Sequence, residues 1–436
     1  MVQDLERVRQ TSGFPETAPA ANPVFFRTYS RRKSAGRETW DEVCDRTILG
    51  LIRLGKLTEA EATLIERMQR QIKSLPSGRW LWVGGTDWIE QPENFSGAYN
   101  CTSTNVVDWR AFGLMMDLAM MGCGTGAVLE PKYINQLPPI RNHLSVTLQS
   151  EIGATPAHLR REITQIEIEG DRVIIHVGDS RGGWVKSYQT LLELSTDERF
   201  SGEVKVQIDL SDIRGAGELL KGFGGVANPV KLPELYERCA SILNKAVGRQ
   251  LNSVECCLLI DEAAVVVVAG NVRRSAGMRQ GDSNDQLFAN AKGNLWQQDE
   301  DGNWRIDSER DALRMANHSR VFHHKPSLEE CVNAVRQQYY SGEGAIQWAG
   351  EAIARANADI LHSDILKRDF LKTYATSSER LRGEEFFPQL SQENARSWLQ
   401  NHCPEITHEE VEHRLSRYAL NPCVTADTWV HTGEGA

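Results

Sequence analysis

The cysteine best placed for chemistry is Cys423, which follows Asn421 and Pro422 near the end of the sequence. A cysteine thiolate is a strong nucleophile, and it can attack a neighbouring carbonyl carbon to form a thioester. The residues after it read Val-Thr-Ala-Asp-Thr-Trp-Val-His-Thr-Gly-Glu-Gly-Ala. We therefore interpret Cys423 as the boundary between a long globular sequence and a short C-terminal segment that does not continue it.

A second candidate thiol is Cys101, within Tyr-Asn-Cys-Thr, where β-favouring residues predict that it lies on or beside a strand. Cysteine is most often a buried, inert residue, which is our default expectation for the remaining positions considered: Cys44, Cys239, Cys256, Cys257 and Cys331. The sequence holds 9 cysteines and no CxxC pair, so it predicts neither a disulfide nor a zinc framework. We expect a reducing, cytoplasmic setting.

Two motifs could bind phosphate. Glycines alternate in Gly-Cys-Gly-Thr-Gly (122 to 126), which could cradle a phosphate, although close backbone packing at a tight turn is the commoner use of glycine. Arg273 and Arg274 follow an apolar segment and could pair with phosphate oxygens, or they could form a surface ion-pair cluster. These motifs alone leave both questions open.

Composition excludes several other classes. The 436 residues carry a formal net charge of −10, which argues against a broad nucleic-acid surface. No apolar run reaches the roughly 20 residues of a membrane helix, so we expect no membrane association. His408 and His413 are five positions apart, which fails the spacing of a zinc-protease helix and predicts a solvated helix face. We predict no metal site.

The elements that must position these residues form an α/β chain. Thr39-x-x-Glu42 and Thr58-x-x-Glu61 are capping boxes that predict two early helices. Alternating apolar residues from Thr164 to Leu210 predict strands. We divide the chain into a loosely ordered arm (1–36), a helical region (37–75), one large α/β region (76–422) and the short segment that begins at Cys423 (423–436).

Together these landmarks resemble the adenosylcobalamin-dependent ribonucleoside-triphosphate reductases, specifically the monomeric kind. The resemblance runs in order from about residue 20 to Pro422. It is carried by Pro-Ser-Gly-Arg-x-Leu-Trp-Val-Gly-Gly-Thr-Asp-Trp (76–88), Tyr-Asn-Cys-Thr (99–102), Gly-Cys-Gly-Thr-Gly-Ala-Val (122–128), Gly-Asp-Ser-Arg-Gly-Gly-Trp-Val (178–185), Asp-Ile-Arg (212–214), Lys-Gly-Phe-Gly-Gly (221–225) and Ala-Gly-Asn-Val-Arg-Arg-Ser-Ala (269–276).

The resemblance implies the N-terminal part of a ten-stranded α/β barrel with an inserted, strand-containing effector region at about 145–210. It implies reduction of ribonucleoside triphosphates to 2′-deoxyribonucleoside triphosphates by a thiyl-radical mechanism that depends on adenosylcobalamin. A thioredoxin-like dithiol would be the reductant. The missing C-terminal half would complete the barrel, and the complete enzyme would be a monomer that binds neither nucleic acid nor membrane.

Residue roles also follow from the resemblance. Cys101 matches one member of the redox-active cysteine pair, and Asn421 matches the residue that binds a ribose hydroxyl. Ser77 and Asn100 would line the substrate pocket. Residues that would contact a deoxynucleoside-triphosphate effector, or relay its binding, are Asp179, Ser180, Arg214, Arg273 and Arg274.

The sequence departs from the family directly after Cys423. The family continues Asn-Pro-Cys-Gly-Glu, whereas Val424 and Thr425 stand here, and the segment resembles the opening block of an intein. Cys423 is then the nucleophile that starts protein splicing, or the radical cysteine if there is no intein. Two alternative functions remain open, a nucleotide-binding remnant and a precursor whose own chemistry is splicing. We expect the isolated chain to be inactive as a reductase.

Overall fold

The structure is a computed structural model that describes residues 14–15, 18–33, 36–55, 57–220, 226–269, 276–341, 343–379, 388–420 and 430–431. The chain divides into two compact units, Met1–Asn100 and Cys101–Ala436. Asn421, Pro422, Cys423, Arg273 and Arg274 lie outside the described residues, so their predicted roles stay predictions.

The first unit is mainly helical, and its two capping boxes are confirmed. Thr39 and Thr58 each accept a hydrogen bond from the backbone N–H of the glutamate three residues later, which hydrogen-bonds back through its carboxylate. The helices are α1 (Ala21–Thr28), α2 (Trp40–Arg53), α3 (Glu59–Arg70), α4 (Gly78–Val83) and α5 (Asp87–Glu90), and the strands are β1 (Arg32–Lys33) and β2 (Gly36–Arg37).

Helix α1 lies in the segment that we expected to be a loosely ordered arm. Its Phe25 is buried against Trp40, with 5.2 Å between the ring centroids. Val43, Cys44 and Leu81 complete this small core. Burial of apolar side chains therefore orders residues 21–28, where proline-rich composition alone predicted little structure.

A parallel sheet dominates the second unit. Six described strands lie in the order β13-β12-β9-β4-β3-β14, and every neighbouring pair is parallel. Their bounds are β3 (Cys101–Asn105), β4 (Gly124–Val128), β9 (Gly277–Asp282), β12 (Ala316–Phe322), β13 (Ala345–Trp348) and β14 (Val430–His431). The α/β class is confirmed, while a ten-stranded barrel stays a prediction.

Helices connect the strands, as parallel pairing requires. They are α6 (Trp109–Met120), α7 (Pro131–Ile134), α8 (Arg181–Leu194), α9 (Leu232–Asn244), α10 (Ser253–Ala269), α11 (Gln286–Asn290), α12 (Leu328–Ser341), α13 (Ala349–Ala356), α14 (Asp364–Glu379), α15 (Pro388–His402) and α16 (His408–Leu415). Short 3₁₀ turns lie at Pro92–Ala98, Ala157–Leu159, Pro229–Lys231 and Asp311–Met315. Among the described helices, none combines the length and apolar character needed to cross a bilayer.

A second sheet lies within residues 143–209 and has the order β5-β8-β7-β6. Its strands are β5 (His143–Gln149), β6 (Gln165–Glu169), β7 (Arg172–His176) and β8 (Glu203–Asp209), and the hairpin β10 (Trp296–Gln298) and β11 (Trp304–Ile306) is separate. The period-two pattern from Thr164 to Leu210 is confirmed for three strands. The pattern did not predict α8, which lies between β7 and β8 in the sequence. The apolar residues of α8 pack in the same hydrophobic core as these strands.

The alternating glycines are used for packing. Gly124 and Gly126 lie within the fully buried strand β4, and a Cβ at Gly126 would lie 2.7 Å from the carbonyl oxygen of Leu420. The phosphate-cradle interpretation is therefore wrong for these two glycines. Gly122, which follows α6, has φ of +77° and needs the freedom that glycine provides.

Candidate functional site

Cys101 is the first residue of β3, as predicted, and its side chain is partly exposed. It pairs in register with Gly124 of β4. By contrast, Cys44, Cys239, Cys256 and Cys257 are buried. Burial raises the pKa of the Cys44 thiol to about 12, which suppresses its reactivity.

Cys331 corrects one expectation, because it is partly exposed on α12 rather than buried. A partly exposed thiol is available to reagents in solution, so Cys331 is a useful comparison for Cys101. The prediction of inert burial holds for the other four cysteines because each packs in an apolar core.

The segment that leads into Asn421 is hydrogen-bonded to two strands of the parallel sheet, β9 and β13. The Gln280 side chain, on β9, donates from Nε2 to the Leu420 carbonyl oxygen at 2.9 Å and accepts from the Leu420 N–H at 2.6 Å. Gln347, on β13, donates from Nε2 to the Tyr418 carbonyl oxygen. Gly126 leaves room for this segment beside Ser103 of β3, since a Cβ there would also lie 2.9 Å from Ser103 Oγ.

A buried polar cluster holds the same segment through its tyrosine. Glu130 follows β4 and is 1% exposed; its Oε1 lies 2.9 Å from His323 Nε2, and its Oε2 accepts from the Tyr418 hydroxyl at 2.7 Å. The hydroxyl oxygens of Tyr418 and Tyr133 lie 3.0 Å apart. Lys132 Nζ lies 3.6 Å from Glu130 and over the Tyr418 ring. The end of β4, the end of β12 and the segment before Asn421 thus meet at one carboxylate.

The cluster fixes the charge of Glu130. Burial raises the pKa of the carboxyl group, but the charges of His323 and Lys132 and the hydrogen bonds from His323 and Tyr418 outweigh burial and lower that pKa to about 2. Burial raises the pKa of the Tyr418 hydroxyl well above its usual value, and the Glu130 charge raises it further. Glu130 is therefore an anion and Tyr418 a neutral donor at neutral pH.

The structure brings three of the predicted effector residues together. Asp179, at the end of the loop before α8, accepts from Arg214 Nε at 2.9 Å and from Nη2 at 3.0 Å, and both residues are buried. Ser180 caps α8 by accepting from the N–H of Gly183 and donates to the carbonyl oxygen of Glu162. These side chains hold the loop together, which the motif comparison did not predict.

The predicted substrate residues of the first unit have structural contacts there. Ser77 caps α4 by accepting from the N–H of Trp80 at 3.2 Å. Asn100 accepts a 3.2 Å hydrogen bond from Arg79 Nε through its Oδ1 atom. Their role toward substrate stays a prediction.

Sequence reasoning missed Gln280, Gln347, Glu130 and His323. A weak signal existed, because each polar residue lies in or directly after a buried strand, where apolar side chains are the rule. A buried polar side chain must find hydrogen-bond partners, so such residues mark places where another segment of chain is bound.

Known proteins resemble the chain in sequence and in fold. The family described as B12-dependent ribonucleotide reductase, insertion domain, matches residues 147–243. The adenosylcobalamin-dependent ribonucleoside-triphosphate reductase of Lactobacillus helveticus (strain DPC 4571) is 31% identical over 315 residues, which make up 62% of this chain and 42% of that enzyme. The reductase of the same description from Lactobacillus leichmannii is 28% identical over 310 residues, with the same coverage of 62% and 42%.

A solved B12-dependent, class II ribonucleotide reductase superposes with a TM-score of 0.55 and 22% sequence identity. The match covers 69% of this chain and 45% of that one. The matched insertion domain, residues 147–243, extends C-terminally beyond the region of about 145–210 that the sequence predicted. It covers β6, β7, β8, the end of β5 and nearly all of α9.

The described residues do not show a fit for adenosylcobalamin, which is named in the descriptions of these relatives. A cleft of about 780 Å³ is lined by both polar and apolar groups, among them Lys132, Glu410 and Leu415, and nothing in this lining is specific for the cofactor's ring system. Within the described ranges, no group of three or more His, Cys, Asp or Glu residues could hold a metal ion.

The family match lies within residues 147–243, and the fold match covers 69% of this chain, so the comparisons of sequence and of fold agree. The chain spans about two fifths of the length of the curated relatives it matches, 42% for the Lactobacillus helveticus enzyme. The chain is therefore similar in sequence to the adenosylcobalamin-dependent ribonucleoside-triphosphate reductases, and it shares the fold of a class II ribonucleotide reductase over 69% of its length.

Proposed function

We propose that the chain is the N-terminal part of an enzyme that reduces ribonucleoside triphosphates to 2′-deoxyribonucleoside triphosphates. The observation that supports this most directly is the 31% identity to a reductase of that activity over 315 residues. The partly exposed Cys101 at the start of β3 agrees with it, because the reaction needs a thiol that substrate and reductant can both reach.

In the proposed reaction, Cys101 is one of two cysteines that reduce the substrate. The Cys101 thiol and a second thiol, in the part of the relatives that this chain does not span, give two electrons and two protons. The ribose 2′-hydroxyl then leaves as water, hydrogen replaces it on carbon, and the two sulfurs form a disulfide. A dithiol protein of the thioredoxin kind in the cytoplasm would reduce that disulfide for the next turnover.

Asn421 would bind a ribose hydroxyl, and Ser77 and Asn100 would contact the substrate in the complete enzyme. The cysteine that follows Pro422 in the complete enzyme would, as a radical, abstract the 3′-hydrogen, and that cysteine is Cys423 only if there is no intein. Adenosylcobalamin would be the source of that radical, with its contacts in the remainder of the enzyme. The complete enzyme would act as a monomer.

A deoxynucleoside triphosphate is the proposed effector, bound beside Asp179, Ser180 and Arg214. The Arg214 guanidinium already pairs with Asp179, so it would position the loop before α8 and add only part of its charge to phosphate binding. Arg273 and Arg274 would relay the effector's binding. A preference among substrates requires a coupling free energy of only about 1–3 kcal/mol.

A chimera tests the proposed reaction. The chain up to Cys423 is joined to the remaining sequence of the Lactobacillus helveticus reductase, and deoxynucleotide formation is measured by chromatography. We expect turnover only with adenosylcobalamin and a dithiol. Cys101→Ser is expected to lower turnover by about two orders of magnitude or more, because one electron donor is lost.

Cys331→Ser is the matched control, since Cys331 is also partly exposed but lies on α12, outside the proposed site. It is expected to keep the activity of the unmodified chimera. Turnover without adenosylcobalamin, or full activity of the Cys101→Ser chimera, would overturn the proposal.

We also propose that Cys423 begins an intein. The support is sequence alone: Val424 and Thr425 replace the expected Gly-Glu, and the following residues resemble an intein opening. If the Cys423 thiol attacks the Pro422 carbonyl, the resulting thioester is cleaved by hydroxylamine. Mass spectrometry of the full chain is expected to show a hydroxylamine-dependent product ending at Pro422, which a Cys423→Ala chain does not form. An uncleaved chain would contradict this assignment.

A further inference from the structure

A cavity of about 240 Å³ lies beside β12, among residues of α11, α12 and the segment before β13. Its lining includes Phe288, Lys292, His318, Arg320 and Glu343. His318 and Arg320 are two positions apart on β12, and alternate residues of a strand face the same side. Two nitrogen-bearing side chains on one face of one strand therefore border the same cavity.

The His318 imidazole is buried, but its Nε2 atom has no hydrogen-bond partner among the described residues. The residue is 4% exposed, and its ring stacks on Phe288 with 4.9 Å between the centroids. Burial lowers the pKa of the imidazole well below its usual value, and the charges of Lys292 and Arg279 lower it further. The ring is thus neutral at neutral pH, and one of its tautomers presents an N–H group at Nε2. Because a buried nitrogen without a partner costs free energy, a ligand that bonds Nε2 is favoured.

Arg320 offers a second buried donor. Its Nη1 donates to Gln337 Oε1 and its Nη2 donates to the Ala289 carbonyl oxygen at 3.2 Å, which hold the guanidinium in place. Its Nε atom is buried and has no partner within the described ranges. Burial lowers the pKa of this guanidinium, which nevertheless stays charged at neutral pH. A partly buried cation with a free N–H group favours an anion that can accept from it.

The carboxylate in the lining is already paired. Glu343 is the acidic residue among the described lining side chains, and its Oε1 lies 2.6 Å from Lys292 Nζ. Its Oε2 accepts from the backbone N–H of His318 at 3.0 Å. With Lys292 and Glu343 neutralising each other and His318 neutral, the remaining charge of the lining is the positive charge of Arg320.

We propose that this cavity binds a small oxyanion, a phosphate or a carboxylate, through Arg320 Nε and His318 Nε2. Oxygen atoms of the anion accept from both nitrogens, and its charge pairs with the guanidinium. The cavity is smaller than the roughly 300–1,000 Å³ of pockets that hold drug-sized molecules, so it suits a small anion. The site is independent of the proposed reductase function, since none of its residues belongs to the predicted substrate or effector residues.

Nuclear magnetic resonance of the full chain, labelled with ¹⁵N in its histidine rings, reports on this site directly. The His318 Nε2 resonance is assigned by its loss in His318→Phe, which keeps a ring against Phe288. Inorganic phosphate and acetate are titrated separately, with sodium chloride holding the ionic strength constant. A saturable shift of the His318 resonance is expected with at least one of them. A response to phosphate alone identifies a phosphate group as the ligand, and a response to acetate alone identifies a carboxylate. No saturable shift with either anion would overturn the proposal.

Variants of Arg320 test the second contact with the same resonance. Arg320→Met keeps the approximate length of the side chain and loses its charge and Nε donor, so it is expected to weaken anion binding by about tenfold or more. Arg320→Lys keeps the charge without the Nε donor and is expected to bind with intermediate affinity.

Arg314→Met is the matched control, because Arg314 is half-exposed near Asp311 and does not line the cavity. It is expected to keep the affinity of the unmodified chain. Equal affinity in Arg320→Met and the unmodified chain would contradict the assignment of Arg320. The titration of the unmodified chain decides whether the cavity binds an oxyanion even if a variant does not fold.

Discussion

Replacing Arg279 by methionine is expected to lower the free energy of unfolding of the second unit by about 3–5 kcal/mol at pH 7, because a buried carboxylate loses its partner. Arg279 on β9 and Asp261 on α10 are both 0% exposed. The guanidinium donates to Asp261 Oδ1 from Nη2 at 2.7 Å and from Nε at 3.1 Å, and its Nη1 donates to the Thr125 carbonyl oxygen at 3.0 Å. Urea unfolding followed by tryptophan fluorescence measures the change.

The pH dependence identifies the cause. Burial raises the pKa of Asp261, and the Arg279 charge opposes that rise. Without Arg279 the folded-state pKa rises further, so the folded variant binds a proton more readily than the unfolded chain does. Its stability then increases as pH falls, and the deficit of Arg279→Met is expected to be smaller at acidic pH than at pH 7.

Arg305→Met provides the matched control, since Arg305 is largely exposed beside Asp299 on the β10–β11 hairpin. It is expected to change stability by less than about 1 kcal/mol. The double variant Arg279→Met with Asp261→Leu is expected to recover part of the loss, because no unpaired charge is then buried. A single Arg279→Met variant within about 1 kcal/mol of the unmodified chain would contradict the argument.

Sequence patterns predicted those parts of the fold that depend on interactions between residues close together in the sequence. The capping boxes at Thr39 and Thr58 are satisfied within four residues, and the alternation at Val204, Val206 and Ile208 reflects one buried face of one strand. Helix α8 was missed because its polar and apolar residues give a weak helical period, and burial against neighbouring helices decides its conformation.

The polar contacts of the candidate site could not be predicted in this way. Gln280 meets Leu420 across 140 residues, and Glu130 meets Tyr418 across 288 residues. No periodicity encodes such a pair, since only the parallel sheet brings its partners together. The motif resemblance predicted that Asp179 and Arg214 both contact the effector, but it did not indicate that they form an ion pair with each other.

Glu130→Gln is expected to destabilise the second unit by about 3 kcal/mol at pH 7, because Lys132 and His323 lose the carboxylate between them. The substitution keeps the size of the side chain, and its carbonyl oxygen can still accept from the Tyr418 hydroxyl. The loss therefore measures charge pairing at a residue that is 1% exposed, with little contribution from a cavity.

The acid limb of the stability curve tests that interpretation. The folded-state pKa of Glu130 is lowered to about 2, below the usual value of a glutamate in an unfolded chain. Its contribution to stability is thus fully present above the unfolded-state pKa and is lost as pH falls toward about 2. The difference between the unmodified chain and Glu130→Gln is expected to shrink from pH 5 to the lowest pH at which the chain stays folded.

The exposed Glu300→Gln, in the turn between β10 and β11, is the control and is expected to leave the curve nearly unchanged. Hydrogen exchange of the Leu420 backbone amide in Glu130→Gln, measured by mass spectrometry, adds a second readout. If Glu130 holds Tyr418 in place, exchange rises at residues 418–420 before it rises in β4, because the segment loses an anchor while the strand keeps its ladder. A stability difference that stays constant with pH would show that the carboxylate charge is not what stabilises this cluster.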